Sequence, residues 1–212
     1  MNFILIVFLG IVLSFFGGLP MGMTNMTVVN ITIKNGIRAG VFVAIGAAIM
    51  EFFMTMVSFL LSNMLLLLNN IERYIHYFTL GLFLLLAVVY FSKKEDTTTS
   101  ETHENDLPTG GTPWRFLMYG LFLGSINILT VPYWLVYIIY LKSHNILHDS
   151  TTDMITFSIS TAIGWFLLLY MYVRGGDYLT KRVNNIGNKI NLVTACVFVF
   201  LAFIEIIKIS RL

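Results

Sequence analysis

Six apolar runs, at about residues 2–32, 39–62, 71–91, 115–141, 151–173 and 190–209, take up most of this 212-residue chain. Each is long enough to cross about 30 Å of hydrocarbon as a helix, for which about 20 residues suffice. A backbone in lipid has to satisfy its own polar groups, and a run of this length and apolarity does so as a helix. The expected fold class is therefore all-α: an integral membrane protein with six transmembrane helices. The composition agrees, with 57% hydrophobic and only 11% charged residues, and no stretch remains for a soluble domain. The first run has neither a basic start nor a small-x-small cleavage site, so it reads as a retained helix rather than a secretory signal.

The polar interruption at 92–113 mixes Lys93, Lys94, Glu95, Asp96, Glu101, Glu104 and Asp106 with Thr, Ser, Gly and Pro. It cannot bury enough apolar surface to offset the entropy of ordering, and reads as a flexible linker. It splits the chain into a first three-helix repeat, 1–91, and a second, 114–212. An odd number of helices per half turns the second half upside down, which gives the two inverted repeats common in secondary transporters.

The first helix of each half is interrupted. The sequence Gly17-Gly18-Leu19-Pro20-Met21-Gly22 breaks one, and Gly124 to Pro132, with Asn127 between them, breaks the other. Proline removes a donor and clashes with the preceding turn, while glycine accepts the torsions a break needs. Backbone freed inside a membrane must be buried in protein or line a wet cavity, so paired breaks point to a midplane site. Thr24 and Asn25 follow the first break. Asn25 and Asn127 both donate and accept, which suits an ammonium, a carboxylate or the freed backbone itself.

Glu51 stands alone in the otherwise uncharged run 39–61. A charged carboxylate at the centre of a lipid-facing helix costs at least about 2.5 kcal/mol, so Glu51 is expected to face a cavity, a partner or a proton. Around it, Gly36, Gly40 and Gly46 with Ala39, Ala44, Ala47 and Ala48 give the second span small sides, and Gly36-x-x-x-Gly40 suits close helix approach. Trp134, just past the second break, is placed to wall a cavity or to pack. Cys196, the single cysteine, rules out a dithiol relay and reads as a small filler of the sixth helix.

Of the 13 Lys and Arg residues, nine, from Lys34 to Lys189, fall on one side of a six-span topology, and four, Arg73, Lys142, Lys208 and Arg211, on the other. The positive-inside rule then puts both termini outside. Glu205 with Lys208 reads as an i,i+3 pair near an interface. Trp114 and the Tyr178 region suit interfacial aromatic belts. His144-x-x-x-His148 near Asp149 and Asp153 has helical metal-ligand spacing but no assigned fourth ligand, and no metal or cofactor is expected.

These residues resemble the LysE-type amino-acid exporters. The family pattern is a proline-glycine motif in the first helix, Gly-x-Arg-x-Gly at the first loop, and a small-residue helix with an acidic residue. This chain has Pro20-Met21-Gly22, Gly36-Ile37-Arg38-Ala39-Gly40, then Gly46 with Glu51 five positions on, where the family usually has Asp. In the second half Gly120, Asn127 and Trp134 fall on the family's glycine, second Asn and Trp. Gly124 stands at the first Asn, and Ile128-Leu129 replaces Pro-Lys.

The resemblance implies a bacterial inner-membrane exporter of amino acids or similar small polar metabolites. Glu51 would exchange a proton for a substrate ammonium. Pro20, Gly22, Thr24, Asn25, Asn127, Pro132 and Trp134 would form the rest of the site. Partners would be the substrate, protons and lipid, not nucleic acid, and the small-residue faces allow a homodimer. The alternatives are a divalent-cation exporter, which needs several converging hard ligands, and an assembly factor. An enzyme is not expected, because no histidine lies deep in any span, and no Gly-x4-Gly-Lys-Ser/Thr phosphate loop supports ATP use.

Overall fold

A computed structural model describes residues 2–19, 22–66, 110–127 and 129–183, with positions 77, 80, 81, 84, 87, 88, 196, 199, 202, 203 and 206. Pro20, Ile128, Glu205, Lys208, His76, His103, most of the third and sixth expected spans and the linker before 110 lie outside the described residues, as does the Tyr178 side chain.

The described chain is helical, with no strand among the described residues: α1 (Asn2–Gly17), α2 (Met23–Asn35), α3 (Ile37–Leu66), α4 (Pro113–Ile126), α5 (Thr130–Ser143) and α6 (Thr151–Val183). The chain divides into two compact units, Met1–Asn63 with Asp106–Lys181, and Met64–Asn105 with Arg182–Leu212. The contacts below belong to the first. In the second, Ala87 and Ala202 are buried, while Cys196 is exposed and so fills no core.

α3 and α6 contain continuous apolar stretches long enough to cross a membrane, Ile37–Leu65 and Thr151–Gly175, and α4 with α5 forms a third candidate span bent by 66° at its break. Both expected breaks are present. α1 ends at Gly17 and α2 begins at Met23, behind an extended Gly22 at φ −96°, ψ 173°. α4 ends at Ile126 and α5 begins at Thr130. Pro132 then sits in the first turn of α5, where a missing N–H costs nothing because no intrahelical acceptor precedes it. α6 starts where it does because Ser150 Oγ accepts from the Asp153 N–H at 3.1 Å, half of a capping box.

Without a hydrophobic drive between helices in lipid, small residues that let backbones touch set the packing. A side chain on Gly46 of α3 would run into the backbone of Leu117 and Leu121 in α4, and one on Gly120 into that of Val43. On the other side of the unit, Gly164 of α6 sits against the backbone of Ile11 in α1, and Gly10 against Ser160. Gly40 packs on Thr32 and Val173. Gly36, in contrast, has open space around its Cα and a φ of +88°. It turns the chain from α2 into α3, a left-handed geometry that favours glycine, and is not part of a helix-packing motif as the Gly36-x-x-x-Gly40 spacing suggested.

Two apolar clusters flank these crossings. Val28 and Ile31 meet Ala39, Val43, Ala44 and Ala47, with Phe116, Leu169 and Val173. Ile6, Phe59, Trp134, Ile138, Met154 and Phe157 form the other. Phe3, Phe8, Phe53, Met64 and Phe122 stay exposed, as expected of a surface that meets acyl chains. Trp114, at the start of α4, is 67% exposed.

Candidate functional site

Glu51 lies midway along the 30-residue α3 and is buried, at 8% exposure. Its partner comes from the other side of the second break: Trp134 Nε1 donates to Glu51 Oε1 at 2.6 Å. An indole nitrogen can only donate, so the contact suits both an ionised and a protonated carboxyl group. Trp134 is itself 1% exposed. The edge-to-face ring of Phe157 at 5.5 Å and that of Tyr133 at 5.0 Å lock its orientation.

Each break packs close to this cluster. Gly124, at the second break, packs on Met50 and on the carbonyl of Ala47, one turn before Glu51. Gly17, at the first, lies against the hydroxyl of Tyr133, which donates to the Leu13 carbonyl at 3.1 Å. Adjacent residues of α5 therefore touch the first break on one side and the buried acid on the other.

The backbone freed at the first break is satisfied by side chains. Asn25 Nδ2 donates to the Gly18 carbonyl at 2.9 Å, and the Tyr172 hydroxyl to the Leu19 carbonyl at 3.1 Å. An open carbonyl in a membrane interior would cost several kcal/mol, so these are structural bonds first. Thr24 is buried at the start of α2. Gly22 has room for a side chain. Asn127 ends α4, with its N–H on the Gly124 carbonyl at 3.3 Å and its carbonyl accepting from Thr130 at 3.0 Å. Of the sequence-derived candidates, Glu51 and Trp134 are bonded to one another, whereas Asn25 is joined to the break and not to Glu51.

A further set of residues was not singled out from the sequence. Thr55, Ser58 and Ser62 follow Glu51 one, two and three turns along the same face of α3, each with no measurable exposure. Thr55 Oγ1 is 2.9 Å from the Glu51 carbonyl and 3.0 Å from Thr161 Oγ1 of α6. Ser58 Oγ reaches the Val131 carbonyl of α5 at 3.0 Å. The i, i+4, i+7, i+11 spacing of these polar residues in an apolar helix is the signal that could have revealed them. The row ends at Lys142, whose Nζ donates to Ser62 Oγ at 2.8 Å.

Among the described residues no three His, Cys, Asp or Glu side chains converge to hold a metal ion. His144 and His148 are exposed, and His148 Nδ1 is 3.2 Å from Asp153. A groove between α3 and α6, lined by Ile49, Phe53, Ile159 and Ile163 among others, is apolar throughout and suits an acyl chain, not a polar solute.

Bundled apolar helices, paired breaks and an isolated buried acid mark a membrane protein with the parts of a transporter. The chain matches the model of the LysE type translocator family over residues 15–208 and belongs to that family. No curated protein and no solved structure matches it.

Proposed function

We propose that this chain is a proton-coupled secondary exporter of amino acids or similar small polar metabolites, which works by alternating access around Glu51. The observation that carries the reading is the buried Glu51 carboxylate, held by Trp134 beside the second helix break. A carboxylate in that position binds either a proton or a substrate ammonium. Competition between them for one group couples inward proton movement to outward substrate movement without any further device.

The inverted-repeat organisation belongs to the same proposal, with repeats 1–91 and 114–212 joined by the linker. It is supported by a correspondence between two crossings. Gly46 of α3 seats on the Leu117 backbone of α4, and Gly164 of α6 seats on the Ile11 backbone of α1. In each case the second helix of one half rests by a glycine on the broken first helix of the other half. α3 and α6 run antiparallel, since Gly40 meets Val173 while Thr55 meets Thr161. Two such halves rocking about the pair of breaks would expose Glu51 to one face and then the other. The Lys and Arg distribution supports a bacterial inner-membrane orientation with both termini outside.

The test is efflux from proteoliposomes preloaded with a labelled amino-acid mixture, with and without an inward proton gradient, for the native chain and for Glu51→Gln. Gradient-dependent loss of particular amino acids that is absent in the variant is the expected result. Folded native protein that exports no amino acid overturns the reading.

A further inference from the structure

At the end of the polar row stands a buried cation. The Lys142 side chain is 5% exposed, although it sits in the last turn of α5. Its ammonium has three N–H groups and finds three acceptors: Ser62 Oγ at 2.8 Å, Asn63 Oδ1, and Asp149 Oδ1 at 2.6 Å. The Phe59 ring lies 4.1 Å away. Three of these four neighbours are fixed on α3. The fourth, Asp149, belongs to the short connection between α5 and α6, and its side chain is 61% exposed.

Asp149 is thus the one neighbour that neutralises the charge and also the one free to leave. Ser62, Asn63 and Phe59 hold the Lys142 ammonium in place from α3, and the carboxylate it binds is that of Asp149. Ser62, beside the ammonium, lies 11 residues along α3 from Glu51, or about 16 Å at a rise of about 1.5 Å per residue. That is too far for one amino acid to touch both groups at once, but the polar face of Thr55 and Ser58 joins them.

We propose that Lys142 is a second substrate station, which takes the carboxylate of an amino acid passing between Glu51 and this end of the bundle and displaces Asp149 from it. The proposal rests on the exporter reading and narrows its substrates to metabolites that carry both an ammonium and a carboxylate. Glu51 attracts the first charge and Lys142 the second. Asp149, as an internal competitor, keeps the station closed when no substrate is present.

Transport kinetics in proteoliposomes test this, using each of the 20 radiolabelled L-amino acids and, for those exported, the amine that lacks the carboxylate. Asp149→Asn should lower the KM for the amino acid at least threefold. Lys142→Gln should raise it tenfold or more, with Lys142→Arg in between, and the behaviour of the amine should not move. A ion pair that merely clamps the helices would shift amino acid and amine alike, and that result overturns the proposal, as does an Asp149→Asn KM that is unchanged or raised. Should Lys142→Gln fail to fold, the exposed Asp149→Asn variant decides alone. Amino-acid export that Glu51→Gln abolishes but that ignores both changes removes Lys142 and leaves the exporter reading standing. Failure of the native chain to export any amino acid removes both.

Discussion

Trp134 and Glu51 are 83 positions apart in the chain and 2.6 Å apart in the structure, indole nitrogen to carboxylate oxygen, with both side chains buried. Trp134→Phe keeps most of the ring volume in its aromatic setting and deletes the donor along with the five-membered ring that carries it. A hydrogen bond to a charged group contributes about 1.5–3 kcal/mol. The variant should remain folded and lose about tenfold or more in initial export rate. A rate equal to that of the native protein would mean that the indole only fills space.

Glu51→Asp and Glu51→Gln separate charge from shape. Aspartate keeps the exchangeable proton but withdraws it by one methylene from Trp134 and should retain gradient-driven export at a reduced rate. Glutamine keeps the size and can still accept from Trp134, but holds no exchangeable proton, and should abolish the response to a proton gradient. Efflux at several imposed pH differences distinguishes the three proteins.

The all-helical apolar character, the two breaks and the burial of Glu51 were legible in the sequence because each rests on a strong local signal: length and apolarity, Gly and Pro, and a lone charge. The partner of Glu51 was not, since nothing in the neighbourhood of Trp134 states which helix it will face. Asn25 shows the opposite difficulty. Its nearness to the break was evident, yet whether its amide would serve a ligand or the Gly18 carbonyl depended on where the freed backbone came to lie. Gly36 was misread because a glycine needed for φ and a glycine needed for contact look the same in one dimension. Lys142 was counted only as a topology charge, as its burial depends on α3 passing beside it.

Asn25→Ala leaves the Gly18 carbonyl without its side-chain donor at a point where the helix cannot supply one. An unsatisfied buried acceptor costs about 1–3 kcal/mol. Thermal unfolding in detergent should show a clear loss of stability, larger than that of Gly22→Ala, whose added methyl group meets open space and whose extended backbone tolerates a side chain. The reverse order would show that the first break is not held by Asn25.

Thr55 and Thr161 tie α3 to α6 one turn beyond Glu51, with hydroxyl oxygens 3.0 Å apart. Interhelical hydrogen bonds of this kind average about 0.6 kcal/mol in membranes, so a double-mutant cycle of Thr55→Val and Thr161→Val on unfolding free energy should give a coupling of about that size. Either single change should therefore leave the fold intact. Because valine closes the polar face between Glu51 and Ser58, Thr55→Val should slow export more than it destabilises the protein.

The glycine crossings set a harder limit. A methyl group on Gly46 meets the carbonyl of Leu117, and one on Gly164 the carbonyl of Ile11; neither neighbour is a flexible side chain that can swing aside. Overpacking of this sort costs about 1–3 kcal/mol, and the helices must separate to relieve it. Gly46→Ala and Gly164→Ala should each lower the thermal midpoint in detergent, and by similar amounts if the two crossings are counterparts in inverted halves. If alternating access uses these contacts as pivots, each variant should also slow export at temperatures where it remains folded. A large effect at Gly46 with none at Gly164 would break the correspondence on which the inverted-repeat proposal leans.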